Sequence, residues 1–165
     1  MISKQQLLDS MRHECKIIKH LYTCIPEGGL DYRPTPEQRS MRELLCYMTA
    51  MALSPAVFAI TKNWDHAPGM GEESKRIDLE KFPEAMDAQI DAIEETFKDV
   101  TDEDLGTKEI SMPWNTPCML GEGIMNMCIK AMTAYRMQLF LYVKAAGNKN
   151  IGPYECWAGG APPSQ

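Results

Sequence analysis

Apolar positions fall into a few helix-length stripes separated by polar, Pro- and Gly-rich connections. Leu7, Leu8, Met11, Cys15, Ile18, Tyr22 and Ile25 recur in alternating three- and four-residue steps, the spacing of a helix with one buried face. Ser3 and Gln6 have capping-box spacing, which places a first helix over about 4–24, ended by Pro26. The connection 25–39, IPEGGLDYRPTPEQR, is turn-rich. Ser40 and Glu43 form a second capping box and open a helix over 41–61. Pro55 is expected to kink that helix or end its regular part. Residues 62–81 are polar, with PGMGEE at the middle, and are expected to form a loop long enough to span a bundle helix. Such a loop lets the third helix run parallel to the second. Met86, Ile90, Ile93, Phe97 and Val100 give the third helix, 83–99, its apolar stripe, and Pro83 suits its first turn. Its acidic side, Glu84, Asp87, Asp91, Glu94 and Glu95, reads as solvated.

The segment 101–105, TDEDL, reads as a capped single turn. Residues 106–119 read as extended or irregular chain, with Pro113 and Pro117 excluding helix. The fourth helix, over about 120–146, is the one around which the others are expected to pack. Ile124, Met127, Cys128, Ala131, Ala134, Tyr135, Gln138, Leu141 and Tyr142 share one face on the regular helical period. Between Gly123 and Val143 the only charges are Lys130 and Arg136, and a helix so poor in charge is usually enclosed by others. The tail, 147–165, is irregular, with Tyr154 and Trp157 expected to fold back. These elements predict one all-α domain over 1–165, a four-helix bundle with long connections.

Composition narrows the function classes. The net charge is −6 and no basic run occurs, which argues against nucleic acid. The first residues carry charges and no apolar h-region, so no secretory signal is expected and the protein is expected in the cytoplasm. The six cysteines include no CxxC pair and are expected to be reduced thiols. The uncharged run 44–61 has the length of a membrane span, but its Ala, Met, Thr, Ser and Pro content favours a buried helix, and no membrane partner is expected.

The common catalytic signatures are missing: no HxxxH, no ExxH, no Gly-rich phosphate loop and no GxSxG. The histidines are His13, His20 and His66, none on the inner face of helix two or four. His13 and His20 read as solvated, with a surface metal clip as the alternative. His66 and the tail aromatics are candidates for lining a pocket.

Two segments resemble a known family. Leu30-Asp31-Tyr32-Arg33-Pro34, then Pro36, then Ser40 opening MRELLCYM, is similar to the first conserved segment of DinB-like proteins. AYRMQLFLYVKAAG, 134–147, resembles the motif on that family's last helix, and the TDEDL turn and WAGG ending extend the likeness. The resemblance implies a four-helix bundle whose pocket often holds a divalent metal on three histidines, one from helix two and two from helix four. Carried over, those positions are Tyr47, Ala131 and Tyr135, and all three are replaced. Arg136 and Gln138 of the last motif are retained and, with Cys128, are candidates for lining the pocket.

A protonated phenol is a poor substitute for imidazole, and alanine offers no ligand. The expectation is a filled, metal-free site, with zinc or nickel on a rewired site as the alternative. Cys128, one turn before Ala131, is expected to face the same cavity. Arg136 is expected either to bind an anion at the pocket mouth, or to pair with the 33–39 connection or an acid of helix three. The resemblance then implies a bundle that binds a small molecule or another chain without metal catalysis. The alternative is a thiol-cofactor-dependent transferase or hydrolase with a rewired or metal-free site. DinB-like proteins often pair through helix faces, so a homodimer is also implied, although no stripe here demands one.

Overall fold

The computed structural model describes residues 2–64 and 77–161, so His66 and most of the 62–81 connection lie outside the described residues. The chain is predominantly helical, with a single small hairpin of strands among the described residues.

Helix α1, Lys4–Thr23, starts at the predicted capping box: Gln6 N–H donates to Ser3 Oγ at 3.1 Å and Ser3 N–H to Gln6 Oε1 at 2.9 Å. Its buried face is wider than the apolar stripe, because Ile17, Leu21 and the charged Glu14 are buried as well. The second capping box, at Ser40 and Glu43, opens α2, Met41–Met48. The predicted single helix over 41–61 is broken. A turn over Thr49–Ala52 separates α2 from α3, Leu53–Thr61. Pro55 explains the placement: it has no N–H for the Met51 carbonyl, and its ring would press on that oxygen in a continuous helix. After the restart Pro55 lies in the first turn of α3, where helical N–H groups have no intrahelical partner anyway.

Gln89 closes the break. It lies on α4, Phe82–Thr96, and is 2 % exposed. Its Oε1 accepts from Ala52 N–H at 2.9 Å and Leu53 N–H at 3.3 Å, and its Nε2 donates to the Met48 carbonyl at 3.1 Å. One side chain thus satisfies backbone groups on both sides of the turn. Met86, Ile90, Ile93, Phe97 and Val100 are buried as predicted. The acidic side of α4 is partly held by α1, where Arg12 meets Glu94 and Lys19 meets Asp87.

Helix α5, Asp102–Thr107, is capped by Thr101. Residues expected to be irregular then form the antiparallel hairpin β1, Glu109–Ser111, and β2, Pro117–Met119, with Ile110 opposite Cys118. The last long helix comprises α6, Leu120–Ile124, a π-helical turn over Met125–Ile129, and α7, Lys130–Ala145. The π turn changes which residues are inside. Ile124, Met127 and Cys128 are buried as predicted. Beyond the turn Tyr142 is buried as predicted, but Met132, Arg136, Leu139 and Val143 are buried too, each one residue later than a position of the expected face. Ala134 and Leu141, predicted inside, are exposed. A wider turn holds one extra residue, which rotates the rest of the helix by roughly 100° relative to an unbroken α-helix.

The tail is more ordered than expected. It carries α8, Pro153–Ala158, which buries Cys156 against α1 and α7. The Trp157 ring folds back over Arg136 while keeping its outer side exposed, and Tyr154 is about half exposed. Helix α1 also contacts α4 and α7, α2 contacts α7, and α3 lies on α4 and α6. The 41–61 stretch is apolar and long enough to cross a membrane by composition, and half of its most apolar window is buried within the fold.

Candidate functional site

Tyr47, at the end of α2, and Tyr135, on α7, meet. Their ring centroids are 4.8 Å apart and the planes are inclined by 59°. The phase change at the π turn sets the geometry. It carries Arg136 fully inside and leaves Ala131, Tyr135 and Gln138 at the half-buried edge of α7. Burial pushes the Tyr47 phenol up to about 12, helped by its hydrogen bond with Tyr135 and opposed by the nearby Arg39 charge. Tyr47 is therefore a neutral phenol at physiological pH. The Arg39 guanidinium carbon lies 4.3 Å from the centre of the Tyr47 ring, a cation–π contact on its outer side.

Arg39 is itself held by a hydrogen-bond chain. Gln138 Nε2 donates to the Tyr142 hydroxyl at 2.8 Å, and that hydroxyl donates to the Arg39 carbonyl at 3.2 Å. The Tyr32 ring meets Tyr142 edge-on at 5.5 Å, and Tyr32 accepts from Met41 N–H at 2.8 Å. Gln138 thus acts through Tyr142 and Arg39 on Tyr47, and is not among the cavity-lining residues.

Tyr47 and Ala131 line one cavity of about 250 Å³. The α2–α3 break and the start of α3 contribute Ala50, Met51, Ser54 and Pro55, the π turn contributes Asn126 and Met127, and Trp64, Pro113 and Trp114 also line it. Tyr135 touches Tyr47 without reaching this wall. Trp114, at the hairpin tip, is 65 % exposed and stands at the mouth. A second cavity, of about 430 Å³, shares Trp64 and Pro113 with the first and is bounded by Phe58, Lys62 and the hairpin. Trp64 stacks on Phe58 with centroids 4.2 Å apart and planes within 12°.

Cys128 does not face the cavity. It is fully buried in the core, and burial alone pushes its thiol up to about 12. The π turn again explains the difference, since it presents Asn126 and Met127 to the cavity instead. Arg136 also points elsewhere. It is 1 % exposed and faces α1 and α8. Its Nε lies 3.0 Å from Glu14 Oε2, an ion pair in which the N–H is not aligned on the oxygen. Its Nη1 donates to the Cys156 carbonyl at 2.6 Å, and its carbon lies 4.8 Å from the centre of the Trp157 ring. Thr133 Oγ1 donates to the other Glu14 oxygen at 3.1 Å. The partner is therefore an acid of α1, not the 33–39 connection and not helix three. His13 is exposed, with Nε2 3.1 Å from the Trp157 carbonyl.

Two phenols and a methyl group do not make a donor set for zinc or nickel. Among the described residues, no three His, Cys, Asp or Glu side chains gather in a metal-binding group. Sequence reasoning missed Met51, Trp64 and Trp114. Pro113-Trp114-Asn115 was the available signal: a bulky aromatic at a turn, followed by an Asn that takes the left-handed conformation at φ 63°. The chain matches no protein-family model and no curated protein.

Proposed function

We propose that the chain is a DinB-like four-helix bundle, formed by α1, α2–α3, α4 and α6–α7, that binds a small apolar or aromatic molecule without a metal. The observation that carries this reading is the position of Tyr47 and Ala131. These are two of the three places where DinB-like relatives hold their metal, and here both line an apolar cavity. Apolar walls with a few fixed polar groups favour burial of a flat, weakly polar ligand. The polar groups are the Tyr47 hydroxyl, Ser54 and Asn126. At about 250 Å³ the cavity is somewhat below the ~300 Å³ lower range of drug-sized sites, so the ligand is small.

The test is a fluorescence titration with N-phenyl-1-naphthylamine, a neutral aromatic probe, with and without added zinc. Saturable binding unaffected by zinc and lost in Ala131→Leu supports the reading. Binding that needs zinc, or that survives Ala131→Leu unchanged, contradicts it.

The second reading is a thiol-cofactor-dependent transferase without metal. One observation favours it: Tyr47 lines the cavity and is a neutral phenol hydrogen-bonded to Tyr135, a pair that could share a proton with the oxygen of an electrophile. Turnover of a low-molecular-weight thiol with an electrophilic acceptor, abolished in Tyr47→Phe, would favour this reading over simple binding.

A further inference from the structure

The two cavities share the Trp64 ring and Pro113, so they form adjoining compartments of one cleft. Their chemistry differs. Among the described residues, the first has no charged side chain in its wall. Among those same residues, the second carries Lys62 and Glu109, with Ser111 and Asn115 also in its wall. Among the described residues no ion pair engages either charge. Lys62 also occupies a left-handed position, φ 59°, at the end of α3, where Gly or Asn is the favoured residue. A cation at a helix C-terminus complements the helix dipole, and from this position Lys62 also lines the cavity wall.

We propose that the cleft takes an amphiphile with an aryl or apolar body in the first compartment and a zwitterionic head, amine and carboxylate together, in the second. The carboxylate is placed by Lys62 and the ammonium by Glu109, with Ser111 and Asn115 supplying neutral hydrogen bonds. A singly charged head leaves one of the two wall charges without a partner. A purely apolar ligand leaves the second compartment to water. Trp64, flat against Phe58, forms the partition past which the ligand extends. This proposal rests on the reading of the first cavity as a binding site and specifies its ligand class.

The test is calorimetric titration of the full chain with four ligands sharing a phenylalkyl body: L-phenylalanine, 3-phenylpropionate, 2-phenylethylamine and 3-phenylpropanol. L-phenylalanine is expected to bind about fivefold more tightly than either singly charged ligand, the ratio for one partly exposed charge contact, and more tightly still than 3-phenylpropanol. Lys62→Met should weaken L-phenylalanine and 3-phenylpropionate about fivefold and leave 2-phenylethylamine unchanged. Glu109→Gln should do the converse. Equal affinity for all four ligands, or equal losses across all four in either variant, overturns the proposal. Failure of all four while N-phenyl-1-naphthylamine still binds overturns this head-group assignment alone. Failure of the naphthylamine as well overturns the binding-site reading beneath it.

Discussion

The phenol rings of Tyr47 and Tyr135 stand 4.8 Å apart, one from α2 and one from α7, across the seam where those helices pack. The contact depends on two irregularities. The α2–α3 break lets α2 end soon after Tyr47, and the π turn rotates α7 until Tyr135 reaches it. Beside the pair, Tyr47 and the small Ala131 line an apolar cavity.

The tyrosine pair should be visible in alkaline titration. Tyr47 ionises at about 12 in the folded chain against an ordinary value of 10.0. Its folded pKa is raised, so the unfolded chain gives up this proton first. The associated stability is present below pH 10 and is lost as pH rises from 10 towards 12. Ultraviolet difference titration, with Tyr47→Phe as the reference, should place the Tyr47 ionisation near 12. Tyr135→Phe should bring it closer to the ordinary value, and a Tyr47 that already titrates near 10.0 in the parent would refute the assignment.

Arg136 is predicted to be structural. Arg136→Met leaves the Glu14 carboxylate buried without its cation, and urea denaturation should show a loss of ~3–5 kcal/mol. The double variant Glu14→Leu, Arg136→Met should be more stable than Arg136→Met alone, because no charge is then left unpaired. Naphthylamine affinity should be unchanged in the double variant. Lost binding with full stability would restore an anion-binding role for Arg136.

Gln89 is predicted to hold the helix break. Gln89→Met removes the partner of the Met48 carbonyl and of the Ala52 and Leu53 amides. At ~1–3 kcal/mol for each buried group left unsatisfied, the loss should be at least ~2 kcal/mol. Hydrogen exchange at Ala52 and Leu53 should accelerate more than exchange in α1, and uniform acceleration would show that Gln89 is not a local clamp.

Gly159 is predicted to be required for docking α8. It sits at φ 65°, and a Cβ there would lie 3.0 Å from Ile17 Cα and 3.1 Å from Ile17 N. Backbone cannot yield as a flexible side chain does. Gly159→Ala should cost ~1 kcal/mol or more for the left-handed conformation alone, with the clash added. Loss of the Trp157 environment, followed by its fluorescence, should precede global unfolding. A variant as stable as the parent would remove this explanation of the WAGG ending.

The helix starts were legible because capping boxes are local: Ser3, Ser40 and Thr101 need only a partner residue close in sequence, and each finds it. The buried stripe of α4 was legible for the same reason, since its period is regular. Two features were not. No residue between Met125 and Ile129 announces a π turn, so Met132, Arg136 and Leu139 were assigned one position too early. Glu14 and Gln89 were hidden because a polar residue on a helix reads as solvated until the groups it satisfies are seen on another element. The meeting of Tyr47 and Tyr135 was anticipated only through family resemblance. The tryptophan walls of the cavity depend on a hairpin whose sequence showed only that helix was excluded.

The most direct measurement is equilibrium binding of N-phenyl-1-naphthylamine to the metal-free full chain and to Ala131→Leu. The account predicts saturation at one probe per chain for the parent and none for the variant, with both equally folded. A parent that stays dark until zinc or nickel is added would contradict it.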